Sequence, residues 1–253
     1  MRLFLASCLT LAAIAAALPA AAQERSLSFS LRVGASAIPD YPGSDDFEAA
    51  PDIGFTFGSL KFGGVNLGEG ARAAPKNGFS ISPAFRVIGD RDSDDSSDLE
   101  GLDDIDTAVE LGLRVKYQET DWMVYAEARR GVTGHSGVTG TVGADFIFRP
   151  SERWLFTAGP RMNFGDDEFA DTYFGVPTGG TANFDSFDAD GGILGGGLEV
   201  TGSYFINDKW AVEGAVSYEK LLNDAGDSPI TRSGSDDQFR VRLGISRVFN
   251  LNF

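Results

Sequence analysis

The chain is short of basic residues, and after its first 22 residues it has no long apolar run. Lysine and arginine number 21 against 37 aspartates and glutamates, which gives a net charge of −16. Nucleic-acid binding needs clustered positive charge to neutralise phosphates, so we expect no nucleic-acid partner. No later segment approaches the roughly 20 consecutive apolar residues that a helical membrane span requires. If the chain lives in a membrane, it must do so as a closed barrel.

Cysteine is nearly absent, and its one occurrence falls in a predicted signal peptide. Arg2 precedes an apolar run over residues 3–18, and Ala20, Ala21 and Ala22 offer a cleavage site. We therefore predict a cleaved Sec signal peptide over 1–22 and a mature domain over 23–253. Residues 5–8 resemble a lipoprotein box, but they lie inside the apolar run, so we expect no lipid anchor. Loss of Cys8 with the signal leaves no disulfide, thiolate chemistry or cysteine metal site.

What the sequence does have is alternation of apolar and polar residues, most clearly over 237–253. A period of two indicates a strand with one apolar and one polar face, and this one is longer than most strands of soluble sandwiches. An apolar strand that reaches an aromatic residue is typical of outer-membrane barrels, with lipid outside and a polar lumen. The alternative is a terminal strand of a soluble β-protein. The apolar positions are Phe239, Val241, Leu243, Ile245, Phe249, Leu251 and Phe253.

Similar alternation along the chain predicts an all-β, closed antiparallel transmembrane barrel of twelve strands, with ten as the alternative. Among these, Ile53–Phe57 and Leu60–Phe62 are interpreted as two strands separated by a Gly58-Ser59 turn, and the twelfth strand is placed within 65–73. Pro83 interrupts an alternating segment, so we expect a bulge or a local loss of pairing there.

The three tryptophans indicate the orientation of the barrel. Trp122, Trp154 and Trp210 each follow a short polar turn, at the same end of successive hairpins. Aromatic rings partition to the headgroup level of a bilayer and form girdles around barrels. We therefore expect the short turns to be periplasmic and the long acidic loops to be extracellular.

The opposite faces of the strands carry charges of both signs, which predicts either a polar pore or an interior filled by ion pairs. Barrels of about eight strands are filled by side chains, whereas sixteen or more leave a wide channel. The sequence leaves both possibilities open. The predicted inward set is Arg32, Arg86, Glu110, Arg114, Lys116, Glu127, Arg129, Asp145, Arg161, Glu199, Glu213, Glu219, Arg240 and Arg242.

Two acidic regions are candidates for cation binding. Residues 90–106 hold nine acids, but an EF-hand loop that begins at Asp90 would have Asp95 at its glycine position and Gly101 at its glutamate position. We interpret this region as a solvated, mobile loop; the alternative is that divalent cations bridge it to lipopolysaccharide. A specific metal site is the weakest hypothesis, and we expect no cofactor. The second region contains Asp166, Asp167, Glu168, Asp171, Asp185, Asp188 and Asp190.

His135 and Ser136 are adjacent in a loop between two strands. A catalytic Ser–His pair needs the serine within hydrogen-bond reach of the imidazole and a carboxylate that orients the ring. Adjacency in a loop does not supply that geometry. We therefore expect a non-enzymatic protein with no catalytic residues.

Several short segments, in this order, resemble the MipA/OmpV family of outer-membrane proteins, which includes the MltA-interacting protein. The segments are 41–44, 99–106 with Ala108, Glu110 and Gly112, 134–137, 173–176, 221–229 and the strand that reaches Phe253. The resemblance implies an outer-membrane barrel of a Gram-negative cell. It also implies a scaffold that joins a murein hydrolase to a murein synthase, or a small porin or adhesion role.

Two functions follow as hypotheses. The first is a non-enzymatic scaffold for peptidoglycan-remodelling enzymes, although the short periplasmic turns offer little area beside the roughly 800 Å² per partner of a standard interface. The second is a porin or binding channel for small solutes with a mixed-charge lumen, in which acidic loops would disfavour anions.

Overall fold

The computed structural model describes residues 25–62, 65–68, 77–93 and 99–253. The predicted signal peptide, 1–22, lies outside the described residues. The strands are β1 (Ser26–Pro39), β2 (Phe47–Phe62), β3 (Val65–Gly68), β4 (Gly78–Ile88), β5 (Ala108–Gln118), β6 (Trp122–Thr133), β7 (Val138–Ser151), β8 (Trp154–Gly165), β9 (Gly192–Phe205), β10 (Trp210–Leu221) and β11 (Asp237–Asn252). The helices are α1 (Asp167–Phe174), α2 (Asn223–Asp227) and α3 (Pro229–Ser233).

All strands form one antiparallel sheet that curls into a barrel, as predicted. β1 pairs with β2 on one side and with β11 on the other, so the first and last strands are neighbours. The remaining strands follow in chain order from β11 back to β4, and β3 and β4 are the two ends of the sheet. These two strands lie beside each other, which brings the sheet round almost to closure.

The described chain has eleven strands rather than twelve, and only ten of them are long. β2 runs without a break from Phe47 to Phe62, so the predicted Gly58-Ser59 turn is wrong. The register with β1 pairs Phe29 with Phe57 and Ser28 with Ser59, which leaves Gly58 as the extra residue of a bulge. The strand placed within 65–73 exists as the short β3, paired with Ser59–Phe62.

Pro83 does not disturb its strand, so the expected bulge is wrong. β4 pairs with β5 in one continuous register from Gly78 to Ile88, and Pro83 lies opposite Leu113. β4 is an end strand of the sheet, so only one of its sides is paired. Proline, which has no backbone N–H, is tolerated on such an edge strand because no hydrogen bond is lost on the unpaired side.

The outer surface of the barrel is apolar, and its aromatic rim lies where the sequence predicts it. Trp122, Trp154 and Trp210 are all partly exposed and begin β6, β8 and β10 at the short-turn end. Trp154 stacks on Phe156 and also contacts Tyr204, while Arg247 lies over the Trp210 ring at 5.1 Å. No helix among the described residues is long and apolar enough to cross a bilayer.

At the opposite end, the long connections pack together into a lid, defined here as residues 40–46, 89–93, 99–107, 166–191 and 222–236. The lid has an apolar interior, and its helix α1 begins at a capping residue, Asp166, which accepts a hydrogen bond from Phe169 N at 3.0 Å. The interpretation of these loops as solvated and mobile is therefore wrong for their described parts. Two buried clusters form the interior: Ile105, Phe169, Ala170, Tyr173, Phe174, Ala189, Leu194, Leu221 and Ala225, and next to them Tyr41, Leu99, Leu102, Val176 and Ile230.

Candidate functional site

The barrel interior is charged, and the predicted inward-facing residues occupy it. Strand alternation places them there because each shares its face with the buried or half-buried positions of its strand. Most of the arginines are held by carboxylates on neighbouring strands. These contacts fall into three groups.

The first group surrounds Glu110 on β5, whose side chain is completely buried. Arg86 donates two hydrogen bonds to it, each of 2.6 Å, and Arg129 Nε donates a third of 3.0 Å. Thr139 adds a hydroxyl donor at 3.1 Å. Arg129 also pairs with Glu127, which in turn accepts from Arg114. The group links β4, β5, β6 and β7 just below the lid.

The second group is centred on Arg161 of β8. Its guanidinium donates to Asp145 at 2.7 and 3.1 Å and reaches Glu199 at 3.2 Å. The same guanidinium lies 5.3 Å from the ring centroid of Tyr125, and Arg114 lies over the same ring at 4.8 Å. Tyr125 therefore separates two like charges by contacting both through its face.

The third group is centred on Arg32 of β1. Arg32 donates to both oxygens of Asp52, at 2.5 and 3.1 Å, and reaches Glu213 at 3.4 Å. Glu213 also accepts a hydrogen bond of 2.5 Å from Ser246. Sequence analysis missed Asp52 because the Ala-Ala-Pro segment before it does not look like a strand. In the structure β2 begins at Phe47, and Asp52 alternates with Ile53 and so faces the lumen.

A cavity of about 1020 Å³ runs through this charged interior. Its lining extends from Glu48 and Asp90, near the lid, to Met123, which follows the rim residue Trp122. The charged groups that line it are Arg32, Arg86, Arg114, Arg161, Arg240 and Arg242 on the cationic side and Glu48, Asp52, Asp90, Glu127, Asp145 and Glu199 on the acidic side. The two signs are therefore present in equal number along the described wall.

His135 and Ser136 are not arranged as a catalytic pair. The Ser136 hydroxyl donates to Glu168 at 2.5 Å, and the imidazole is buried between Phe169 and Tyr173 in edge-on contacts. Neither ring nitrogen has a well-aligned hydrogen bond among the described residues, although Nε2 lies 3.3 Å from Oε1 of Glu110. Burial lowers the pKa of His135, and the neighbouring Glu110 opposes this lowering only in part.

Several acidic loop residues cap backbone groups. Asp166 accepts from Val138 N as well as from Phe169 N, Asp167 accepts from Gly191 N at 2.9 Å, and Asp224 accepts from Asp190 N at 2.9 Å. Asp104 accepts from both N and Oγ of Ser93, and these hydrogen bonds lower the pKa of Asp104. In the described part of the chain, no group of three or more acidic, histidine or cysteine side chains is arranged to hold a metal ion.

Two buried polar residues that contact the lid, Gln238 of β11 and Arg91 of the lid itself, were not identified from the sequence. Gln238 joins two loops, because its amide accepts from Gly43 N at 3.3 Å and donates to Ser44 O at 3.1 Å and Ser235 O at 2.8 Å. Arg91 is buried and donates to Tyr173 O at 3.1 Å; burial lowers the pKa of its guanidinium. Gln238 is one of several polar residues of the alternating segment 237–253 and Arg91 lies in a loop, so nothing in the local sequence distinguishes either residue.

These features define an antiparallel barrel with an apolar exterior, an aromatic rim, a lumen of mixed charge and a packed lid. The family model described as MltA-interacting protein MipA matches residues 31–249, and the chain belongs to this family.

Solved structures with a similar arrangement are distant in sequence. An outer membrane channel from Pseudomonas putida F1 is 12% identical, with a TM-score of 0.43, and the alignment covers 89% of this chain and 96% of that one. The CymD monoaromatic hydrocarbon channel is 8% identical, with a TM-score of 0.33 and coverages of 90% and 89%. A variant of OccD1 (OprD) is 9% identical, with a TM-score of 0.26 and coverages of 90% and 96%. No curated protein matches the chain.

Proposed function

We propose that this protein is a non-enzymatic outer-membrane barrel whose lumen admits small polar solutes. The observation that carries the proposal is the cavity of about 1020 Å³, whose lining extends from the lid to the aromatic rim. Its volume is at the upper end of the range of small-molecule sites, about 300–1,000 Å³. Because both charge signs occur in equal number among the described lining residues, that part of the wall carries no net charge to repel a small polar solute.

The lid makes this a regulated passage rather than an open pore. Phe169 and Tyr173 of α1 are buried against residues from other loops, and Arg91 is buried beneath the same helix. A packed apolar core of this kind has to open for solute to pass from the loop end. We therefore expect low and intermittent conductance, in contrast to the steady conductance of wide porins.

Purified mature protein in planar bilayers tests the channel. We expect discrete current steps. A change in step size in Arg114→Gln, with no change in Arg247→Gln, supports a solute path through the lumen. Arg114 lines the cavity, whereas Arg247 lies on the outer face against Trp210 and Phe249. The absence of any current steps, together with failure of liposomes to swell in small sugars or amino acids, overturns the proposal.

The outer-membrane location is supported by the apolar exterior, the rim of tryptophans and the predicted signal peptide over 1–22. In this placement lipid surrounds the strands and lipopolysaccharide surrounds the lid. Fractionation of cells that express the full chain tests the location, and recovery in the soluble fraction contradicts it. Bridging of the acidic loops to lipopolysaccharide by divalent cations stays a prediction, since residues 94–98 lie outside the described ranges.

The second candidate is the scaffold for peptidoglycan enzymes, with a murein hydrolase and a murein synthase as partners. Its support is the description of the family as MltA-interacting protein. The short turns at 119–121, 152–153 and 206–209 offer a small docking area. Crosslinking in whole cells tests it: co-purification of a murein hydrolase supports the scaffold, and its absence under conditions that crosslink a known outer-membrane pair counts against it.

The absence of enzymatic activity is also a proposal. It is supported by the separation of Ser136, which binds Glu168, from the imidazole of His135, which faces an aromatic pocket. Hydrolysis of phospholipid or of a chromogenic ester that His135→Gln abolishes would contradict it.

A further inference from the structure

Two of the arginines that line the lumen differ from the others. Arg240 and Arg242 lie two positions apart on the inward face of β11 and both line the cavity. Among the described residues, neither guanidinium has a carboxylate within ion-pair distance or a side-chain hydrogen bond. By contrast, Arg32, Arg86 and Arg161 are each held by the two oxygens of a carboxylate on an adjacent strand.

The neighbouring strands explain this difference. Arg242 lies opposite Ser36 on β1 and Ala215 on β10, and Arg240 lies opposite Ser217. These side chains are small and uncharged, so they cannot neutralise the guanidinium groups and they leave space beside them. Glu199, Asp52 and Glu213 lie within electrostatic range of Arg242, but Asp52 and Glu213 are already engaged by Arg32, and Glu199 by Arg161. Both arginines are thus left with donors that face the lumen.

We infer that Arg240 and Arg242 form a binding site for the carboxylate group of a small organic solute. A guanidinium presents a planar fork of N–H donors that matches the two oxygens of a carboxylate. Cα atoms two apart on a strand are about 6.5–7 Å apart, so one ligand can contact both side chains. In the confined lumen these contacts are stronger than in bulk water. The same two guanidinium groups, which form no direct ion pair with a carboxylate of the described residues, disfavour amines at this point of the path.

The site also gives the lumen a preference for anionic over cationic solutes, which the acidic loops do not suggest. The long loops are acidic, and on their own they disfavour anions. Within the barrel, Arg32, Arg86, Arg114 and Arg161 are held by carboxylates, so they contribute little free positive charge. Among the described residues that line the cavity, Arg240 and Arg242 are therefore the cationic groups available to a solute. This inference rests on the proposed function in one respect: the solute has to enter the lumen.

The site is tested with propionate and its uncharged analogue propionamide. Ligand-observed NMR measures the binding of each to the detergent-solubilised mature protein. We expect saturable binding of propionate and none of propionamide. One charge-assisted hydrogen bond contributes roughly 1.5–3 kcal/mol, so Arg242→Gln and Arg240→Gln should each raise the Kd for propionate by about tenfold or more. Arg247→Gln, which removes an arginine from the outer face of the same strand, should leave the Kd within about twofold.

The outcomes separate this site from the channel itself. Equal binding of propionate and propionamide, or unchanged affinity in the Arg240→Gln/Arg242→Gln double variant, overturns the site even if the protein conducts. Arginine-dependent binding without conductance keeps the site and overturns the channel. Because each substitution leaves no buried partner unpaired, the variants should fold; heat-dependent gel mobility checks this, and the two single variants give independent measurements.

Discussion

Nε2 of His135 lies 3.3 Å from Oε1 of Glu110, and both side chains are fully shielded from solvent. His135 belongs to the loop between β6 and β7, and its ring packs under α1 of the lid, while Glu110 belongs to the wall of the barrel. The pair thus lies between α1 of the lid and the wall of the barrel. Arg86 and Arg129 are bound to Glu110, and Asp166 is within electrostatic range of the imidazole.

Protonation of His135 should destabilise the lid. Burial lowers the pKa of the imidazole below its ordinary value of 6.5, so the unfolded chain takes up this proton at a higher pH than the folded chain. The stability contributed by the neutral ring is therefore complete above about pH 7 and declines as the pH falls through 6.5 towards the folded pKa. Urea unfolding of wild type and His135→Gln at several pH values between 5.5 and 7.5 measures it. The two curves should diverge as pH falls; parallel curves contradict the prediction.

Removal of the Glu110 charge should strongly destabilise the barrel. Glu110→Gln leaves Arg86 and Arg129 near each other without their shared carboxylate, at a position where the Glu110 and Arg129 side chains are buried. Breaking a buried pair from one side costs about 3–5 kcal/mol. The loss is measured as the shift in the urea midpoint. Asp227→Asn, which breaks the exposed pair with Arg232, is the control and should cost less than about 1 kcal/mol.

Truncation of a lid aromatic should open the loop end without loss of the barrel. Phe169 is buried between His135 and Tyr173, and Phe169→Ala removes about 3–5 kcal/mol of packing. We expect faster proteolysis within 166–191 and more frequent current steps. Phe146→Ala, a change at an outward-facing aromatic, should leave both measurements unchanged. Slower solute flux in Phe169→Ala would show that the lid does not close the path.

The three tryptophans should report one depth in a bilayer. Trp122, Trp154 and Trp210 begin strands at the same rim, so each should sit at the headgroup level. Variants that keep one tryptophan each, reconstituted in lipid vesicles, should be quenched more by a headgroup spin label than by a label deep in the acyl chain. Stronger quenching of any of the three by the deep label contradicts the placement of the rim.

The strands, which carry a repeating alternation of apolar and polar residues, could be predicted from the sequence, whereas the lid, which has no such period, could not. The alternation around Arg114 and Glu127 is local, so it revealed both the strands and the face that lines the lumen. The lid depends on contacts between segments far apart in sequence, such as Leu99 with Ile230, and no period marks them. Gly58 was misread because glycine is common both in turns and in bulges, and only the pairing with Ser28 and Phe29 distinguishes the two.

The pairing of β1 with β11 also governs how the sheet can assemble. Every other pairing joins strands that follow each other along the chain, whereas this seam joins the two most distant strands of the sheet. Until it forms, one side of β1 and one side of β11 carry unsatisfied amide and carbonyl groups that invite pairing with another molecule. Because this contact joins residues far apart in the sequence, its formation is slow. Before it forms, the chain is most exposed to aggregation and proteolysis.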